Sequence, residues 1–138
     1  MAEVVQLPTV EERLFQYWKD LMGYKRARFD DKRRRVLTGR RREGYSEEDL
    51  RLAIEGCFLS PFHQGENERN TRYDDIVLIF RDASHVDKFV QLAEDCFDRH
   101  SRLTRKKEEA KEEPKVDYLP PEKARARLYE IRKALAKR

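Results

Sequence analysis

Residues 24–42 hold ten lysines and arginines: Lys25, Arg26, Arg28, Lys32, Arg33, Arg34, Arg35, Arg40, Arg41 and Arg42. Only Asp30 and Asp31 oppose them, so the segment carries a net charge of +8. Two acids cannot neutralise ten bases by pairing within the segment, which leaves guanidinium forks free to match phosphate oxygens. The chemistry implied is contact with a nucleic-acid backbone or another anionic partner. Residues 43–100 invert the balance, with six Lys or Arg against fourteen Asp or Glu, a net of −8. An acidic neighbour repels phosphates, so the switch would turn any nucleic acid toward one face. Tyr24 and Phe29 interleave with the bases and can stack on nucleobases, although anchoring a charged helix to the core is the favoured use. No base-reading pattern is present, so the expected partner is nucleic acid without sequence preference, DNA ahead of RNA.

A second group lies in the polar stretch Ser60-Pro61-Phe62-His63-Gln64-Gly65-Glu66-Asn67, within an irregular connection over 59–73. Connections of that length in a small domain are commonly functional, which makes Phe62, His63, Glu66 and Asn67 candidate partner contacts. His63 with Glu66 and Asp74 or Asp75 supplies the groups of a metal-dependent nuclease, but the spacing fits no ligand pattern. Helix capping, or pairing with Arg69, Arg72 and Arg81, is the simpler use of those acids. No Walker A loop, GxGxxG, HExxH, GxSxG or paired CxxC occurs. The expectation is a protein that binds rather than catalyses, with no cofactor and no metal. Cys57 and Cys96 stand apart in helical patterns and read as reduced core thiols.

These residues need a scaffold, and the scaffold reads as all-α: a compact bundle of about four to five helices, then a basic C-terminal helix after a charged linker. Thr9 with Glu12 forms a capping-box pair ahead of Val10, Leu14, Tyr17, Trp18 and Leu21, placing a first helix at 10–22 with Gly23 as its stop. Asp30 or Asp31 caps a second, basic helix ending at Gly44, where Gly39 marks a point of weakness. Its thin apolar face leaves it on the surface. Ser46 and Asp49 open the third helix, Tyr45 staples onto Leu50, and Pro61 ends it. The run 76–80 reads as a short helix capped near Asp74, because no second strand exists to pair with it. Ser84 with Asp87 opens a helix to about residue 100.

The division expected is a helical domain over 1–100, a charged linker or helix extension over 101–119, and an amphipathic basic helix over 120–138. The last has two readings: a helix folded back on the body, or a tethered one docking Leu128, Ile131 and Leu135 into a partner groove, with the second favoured.

Charged residues make up 42% of the 138 and the apolar set 38%, so the core must be small and rely on its seven Phe, six Tyr and one Trp. A mean hydropathy of −0.98 and the lack of any apolar run near 18 residues argue against a membrane span. The N-terminus lacks a basic region followed by an apolar one, so no signal peptide is expected. The expected setting is cytoplasmic.

Several strings resemble a region of phage replication proteins. They are Tyr17-Trp18-Lys19-Asp20-Leu21-Met22-Gly23, Arg42-Glu43-Gly44-Tyr45-Ser46-Glu47-Glu48-Asp49-Leu50, Ala53-Ile54-Glu55-Gly56-Cys57 and Ser60-Pro61-Phe62-His63. Asn67, Tyr73-Asp74-Asp75-Ile76 and Leu78-Ile79-Phe80-Arg81-Asp82 continue the likeness, which spans about residues 14–92. The region resembles the C-terminal module of replisome organisers and helicase-loader-type proteins, and is loosely similar to the DnaD-type module. That resemblance implies an all-helical domain acting in phage or prophage DNA replication through DNA or helicase contacts. The stretch ahead of it is too short for the winged-helix module that commonly precedes it, so the chain is expected to act without one.

The leading expectation is therefore a phage or prophage replication accessory protein that binds nucleic-acid backbone, the replicative helicase, or both. The alternative is a phage-encoded inhibitor of a host nucleoprotein, anti-CRISPR-like or helicase-blocking. Its acidic surface around Glu47, Glu48, Glu55, Glu66 and Glu68 would mimic phosphates.

Overall fold

Capping side chains set the helix boundaries in the computed structural model, which describes residues 7–105 and 120–136. The helices are α1 (Val10–Met22), α2 (Asp31–Arg42), α3 (Glu47–Leu59), α4 (Ile76–Ile79), α5 (Ala83–Arg105) and α6 (Pro121–Ala136). Among the described residues there is no strand, only an isolated bridge between Gln64 and Arg72. The protein is mainly helical, as its periodicity requires. No described helix is long and apolar enough to cross a membrane.

Each start has a local cause. Thr9 Oγ1 accepts the Glu12 N–H at 3.2 Å, satisfying one orphan donor of α1. Gly23, at φ 82°, ends that helix by donating to the Lys19 carbonyl, a left-handed turn that glycine adopts without strain. Asp30 caps α2 through the Arg33 N–H at 2.9 Å. Ser46 and Asp49 exchange both bonds of a capping box, at 3.1 and 3.0 Å.

Three boundaries depart from the sequence reading. The cap of α4 is Asp75, which accepts the Val77 N–H at 3.0 Å, because Asp74 is turned into the core. The cap of α5 is Asp82, accepting the His85 N–H at 2.8 Å, two residues earlier than Ser84. Finally, α2 passes through Gly39 unbroken and stops at Arg42, where the Glu43 N–H closes the last turn.

The core is organised around α3, whose most extensive partner is α5. Gly56 makes that pairing close. A Cβ placed there would lie 1.9 Å from the Phe89 carbonyl oxygen, so only bare backbone fits between the two helices. Trp18, Leu21, Ile54, Ile76, Phe80 and Phe89 are all at most 2% exposed.

Helix α6 is part of this core. Leu128 and Ile131 are 2% and 1% exposed, and Leu135 packs against the same cluster. The docking expected of these residues onto a partner is thus replaced by docking onto this chain's own α1, α3 and α5. A narrow apolar stripe is enough because Arg125 adds a second tie. It donates to the Leu21 carbonyl at 2.9 Å, near the end of α1, and lies 5.9 Å from the Phe58 ring centroid. Helix α5 runs past its expected end to Arg105, and the remainder of the charged stretch, 106–119, lies outside the described residues.

The two helical glycines predict opposite substitutions. A Cβ at Gly39 meets nothing within 4 Å, so Gly39→Ala should raise stability by about 1 kcal/mol. Gly56→Ala must push α3 and α5 apart and should cost about 1–3 kcal/mol. Urea unfolding midpoints measure both, and a Gly56→Ala variant as stable as the parent would refute the close contact.

Candidate nucleic-acid interface

The basic segment divides by what its side chains touch. Arg40 pairs with Glu43 at 2.8 Å and Arg41 with Glu11 at 2.6 Å, so the C-terminal end of α2 is partly neutralised from within. Burial opposes ionisation of Glu11, yet the Arg41 hydrogen bond and charge hold its carboxyl below the usual range. Arg33 lies over Trp18 at 5.7 Å and Phe15 at 6.0 Å, and also donates to the Arg28 carbonyl. Arg34 lies 4.6 Å from the centroid of Phe29, which itself stacks on Phe15 at 4.9 Å. Phe29 and Tyr24 are therefore anchors for a charged helix rather than free stacking surfaces.

Lys25, Arg26, Arg28, Lys32, Arg35 and Arg42 remain exposed, with no acid partner among the described residues. At 100° per residue, Lys32, Arg35 and Arg42 lie along one side of α2, and Gly39 falls in the same row with open space above it. The result is a row of free cations on a helix fixed by aromatic contacts.

The loop that carries Lys25, Arg26 and Arg28 is held by Asp74. This carboxylate is 1% exposed. It accepts from the Tyr24 hydroxyl and from Arg72 Nε at 2.9 Å. The Asp74 carbonyl accepts the Trp18 indole N–H at 2.7 Å. Arg72 reaches on to the Met22 carbonyl at 2.9 Å and lies 4.8 Å from the Tyr24 centroid. Burial, reinforced by the hydrogen bond to Asp74, pushes the Tyr24 phenol pKa well up.

The 59–73 connection separates its candidates. Asn67 faces its own loop: its amide donates to the Phe62 and Thr71 carbonyls at 2.8 and 2.7 Å, and its oxygen accepts from the Arg69 and Thr71 N–H groups. It shapes the loop and has no amide group left over for a partner. Glu66 is spent on Arg132 at 3.0 Å. His63 is half-buried, with Nδ1 2.7 Å from Ser60 Oγ and its ring edge against Phe89. Burial lowers its pKa, and the nearby Lys88 and His85 charges lower it further. Phe62 projects outward, 55% exposed, with no ion pair or hydrogen bond among the described residues to hold its ring. Asp74 is committed elsewhere, and no group of three His, Cys, Asp or Glu among the described residues could hold a metal ion.

The acids of the inhibitor reading are largely occupied. Glu47 forms a two-pronged bond with Arg13 at 2.8 and 2.9 Å, Glu55 accepts from the Tyr17 hydroxyl at 2.8 Å, and Glu66 pairs with Arg132. Glu48 and Glu68 remain exposed. Conversely, the fold brings Arg72 against the basic loop, beside Lys25, Arg26 and Arg33 around a hollow of about 660 Å³. Arg72 pairs with Asp74 as the sequence suggests, but its place beside the basic loop is not visible in sequence, because it belongs to the net-acidic half of the chain. No family model, curated protein or solved structure matches the chain.

Glu55 supplies a pH test of this surface. Burial raises its pKa above 4.5, only partly offset by the Tyr17 hydrogen bond and by Arg51 and Arg127. A carboxyl raised in the folded state contributes fully below its unfolded pKa, and that contribution is lost as pH rises through the folded one. Glu55→Gln keeps an oxygen for Tyr17 and removes this loss. Relative to the parent, its urea midpoint should therefore rise as pH increases from the ordinary carboxylate range through the raised folded-state pKa. A difference independent of pH would show that Glu55 is not perturbed.

Proposed function

We propose that this protein is a non-catalytic accessory of phage or prophage DNA replication that binds nucleic-acid backbone through α2 and the loop before it. The observation that carries the reading is the unpaired row Lys32, Arg35 and Arg42, continued by Lys25, Arg26 and Arg28. Of the other four basic positions, Arg40 and Arg41 are in ion pairs and Arg33 and Arg34 lie against aromatic rings, so this row is where free cations of the segment meet solvent. Cations on a helix already fixed by aromatic contacts lose little further freedom on binding, which favours association. Phosphates meeting them release condensed counterions, a term blind to sequence.

The replication setting comes from the resemblance over residues 14–92, a span that includes the basic helix and the loop that Asp74 secures. A replicative helicase or another replication nucleoprotein is the protein partner that resemblance supports.

A filter-binding salt titration tests the nucleic-acid half. Affinity should be measurable at low salt, and log affinity should fall with log salt by close to one unit per phosphate contacted. Replacing Lys32, Arg35 and Arg42 together by Ala should make that slope shallower by about three, with the urea midpoint little changed. Absence of binding to both single- and double-stranded DNA at low salt removes the reading.

A further inference from the structure

Three surface hollows abut one another beside α2. The first, about 660 Å³, is lined by Lys25, Arg26, Arg33 and Arg72 and also by Asp74 and Asp75. It shares Arg33 and Asp75 with a second hollow of about 460 Å³, to which Lys32 and Arg81 contribute. The second shares Leu78 with a third, about 430 Å³, lined by Phe62, Tyr73, His85, Lys88 and Phe89 as well as His63. Through these shared residues they follow one another from the basic loop, past α4, to the N-terminal turns of α5, and are together termed the trough.

The charge along the trough favours a polyanion throughout. Asp30 and Asp75 line the middle hollow, but each carboxylate is engaged by a backbone N–H of the helix it caps. Asp74 is covered by Arg72 and Tyr24. In the last hollow the lining holds no carboxylate, and its chargeable groups are His63, His85 and Lys88.

The far end also carries an open aromatic. Phe62 stacks on Tyr73 with ring centroids 5.8 Å apart and planes inclined by 20°, and its exposure of 55% leaves much of the ring in solvent. The aromatics at the near end are not available in this way: Tyr24 lies between Trp18 and Arg72, and Trp18 is buried. A cationic track leading to a single exposed ring is the arrangement that binds an unpaired strand, with phosphates on the cations and a base on the ring. A duplex keeps its bases stacked on each other and offers Phe62 nothing.

Resting on the nucleic-acid reading above, we infer that the trough binds single-stranded nucleic acid, with Lys25, Arg26, Lys32, Arg81 and Lys88 along the backbone and Phe62 as the stacking platform for one base. Phe62 therefore belongs to the nucleic-acid surface, and Arg81 and Lys88 extend that surface beyond the basic segment.

Fluorescence anisotropy with labelled oligothymidine and with a blunt duplex of equal length tests this. The parent should bind the single strand more tightly than the duplex. Phe62→Ala should weaken oligothymidine binding about tenfold, leaving duplex affinity and the salt slope unchanged because stacking releases no counterions. Phe62→Trp should restore the loss, and Lys88→Ala should instead lower the single-strand slope by about one. Thermal melts check that the variants fold. Salt-dependent binding that is indifferent to Phe62 would overturn this inference and leave the backbone-binding function standing, whereas no binding of either probe at low salt would remove both. Phe62-dependent capture of a Glu-rich peptide bearing one Trp, with oligothymidine affinity unaffected by Phe62, would give the hollow to a protein ligand and also overturn the inference.

Discussion

The buried carboxylate of Asp74 is the constraint on which the functional surface depends. A charge removed from water is costly unless it is paired and fully hydrogen-bonded. Asp74 meets that condition by drawing in Arg72 and Tyr24, while its carbonyl takes the Trp18 indole N–H. Those contacts join α1, the basic loop after it, and the segment leading into α4. Arg72 closes the arrangement by bonding the Met22 carbonyl, next to the glycine that ends α1. The direction in which Lys25, Arg26 and Arg28 leave the body is therefore fixed by a residue about fifty positions later in the chain.

Helix α2 faces a related difficulty, since a segment of net charge +8 repels itself. The structure answers differently at its two ends. At the N-terminal end, Arg33 and Arg34 lie against aromatic faces, which hold a cation without cancelling its charge. At the C-terminal end, Glu11 and Glu43 neutralise Arg41 and Arg40. Cations there also suit the helix dipole, so the repulsion is relieved with few acids and the free charges collect in one row.

Local signals made most of this legible in advance. Ser46 with Asp49, Thr9 and Gly23 each act within four residues, and the structure uses them as their chemistry dictates. The misreadings concern choices between neighbours. Asp74 and Asp75 are equally good caps in sequence, and what tells them apart is that Tyr24, fifty positions away, and Arg72 hold the Asp74 carboxylate inward. The row of free cations was legible only in part, because Arg41 finds Glu11 thirty residues earlier, a distance that no local pattern spans. Asn67 looked like a partner contact because its amide is suited to recognition, but its own loop uses every one of those groups. The destination of α6 was not legible either. A stripe of Leu128, Ile131 and Leu135 fits a partner's groove as well as its own chain's, and the deciding tie, Arg125 to Leu21, spans 104 positions.

The charge switch along the chain acquires a different meaning from these contacts. In sequence it suggests two opposed faces, one for phosphate and one against it. In the fold, much of the acidic half is turned toward its own chain: Asp49, Asp75 and Asp82 cap helices, Asp74 is buried, and Glu47, Glu55 and Glu66 hold Arg13, Tyr17 and Arg132. A carboxylate whose oxygens are engaged by backbone N–H groups or by a guanidinium projects less negative potential than its formal charge implies. The basic half keeps several charges with no such partner. Net charge by segment therefore understates the positive field near α2, and Arg81 and Lys88 can add to that field from within the half that counts as acidic.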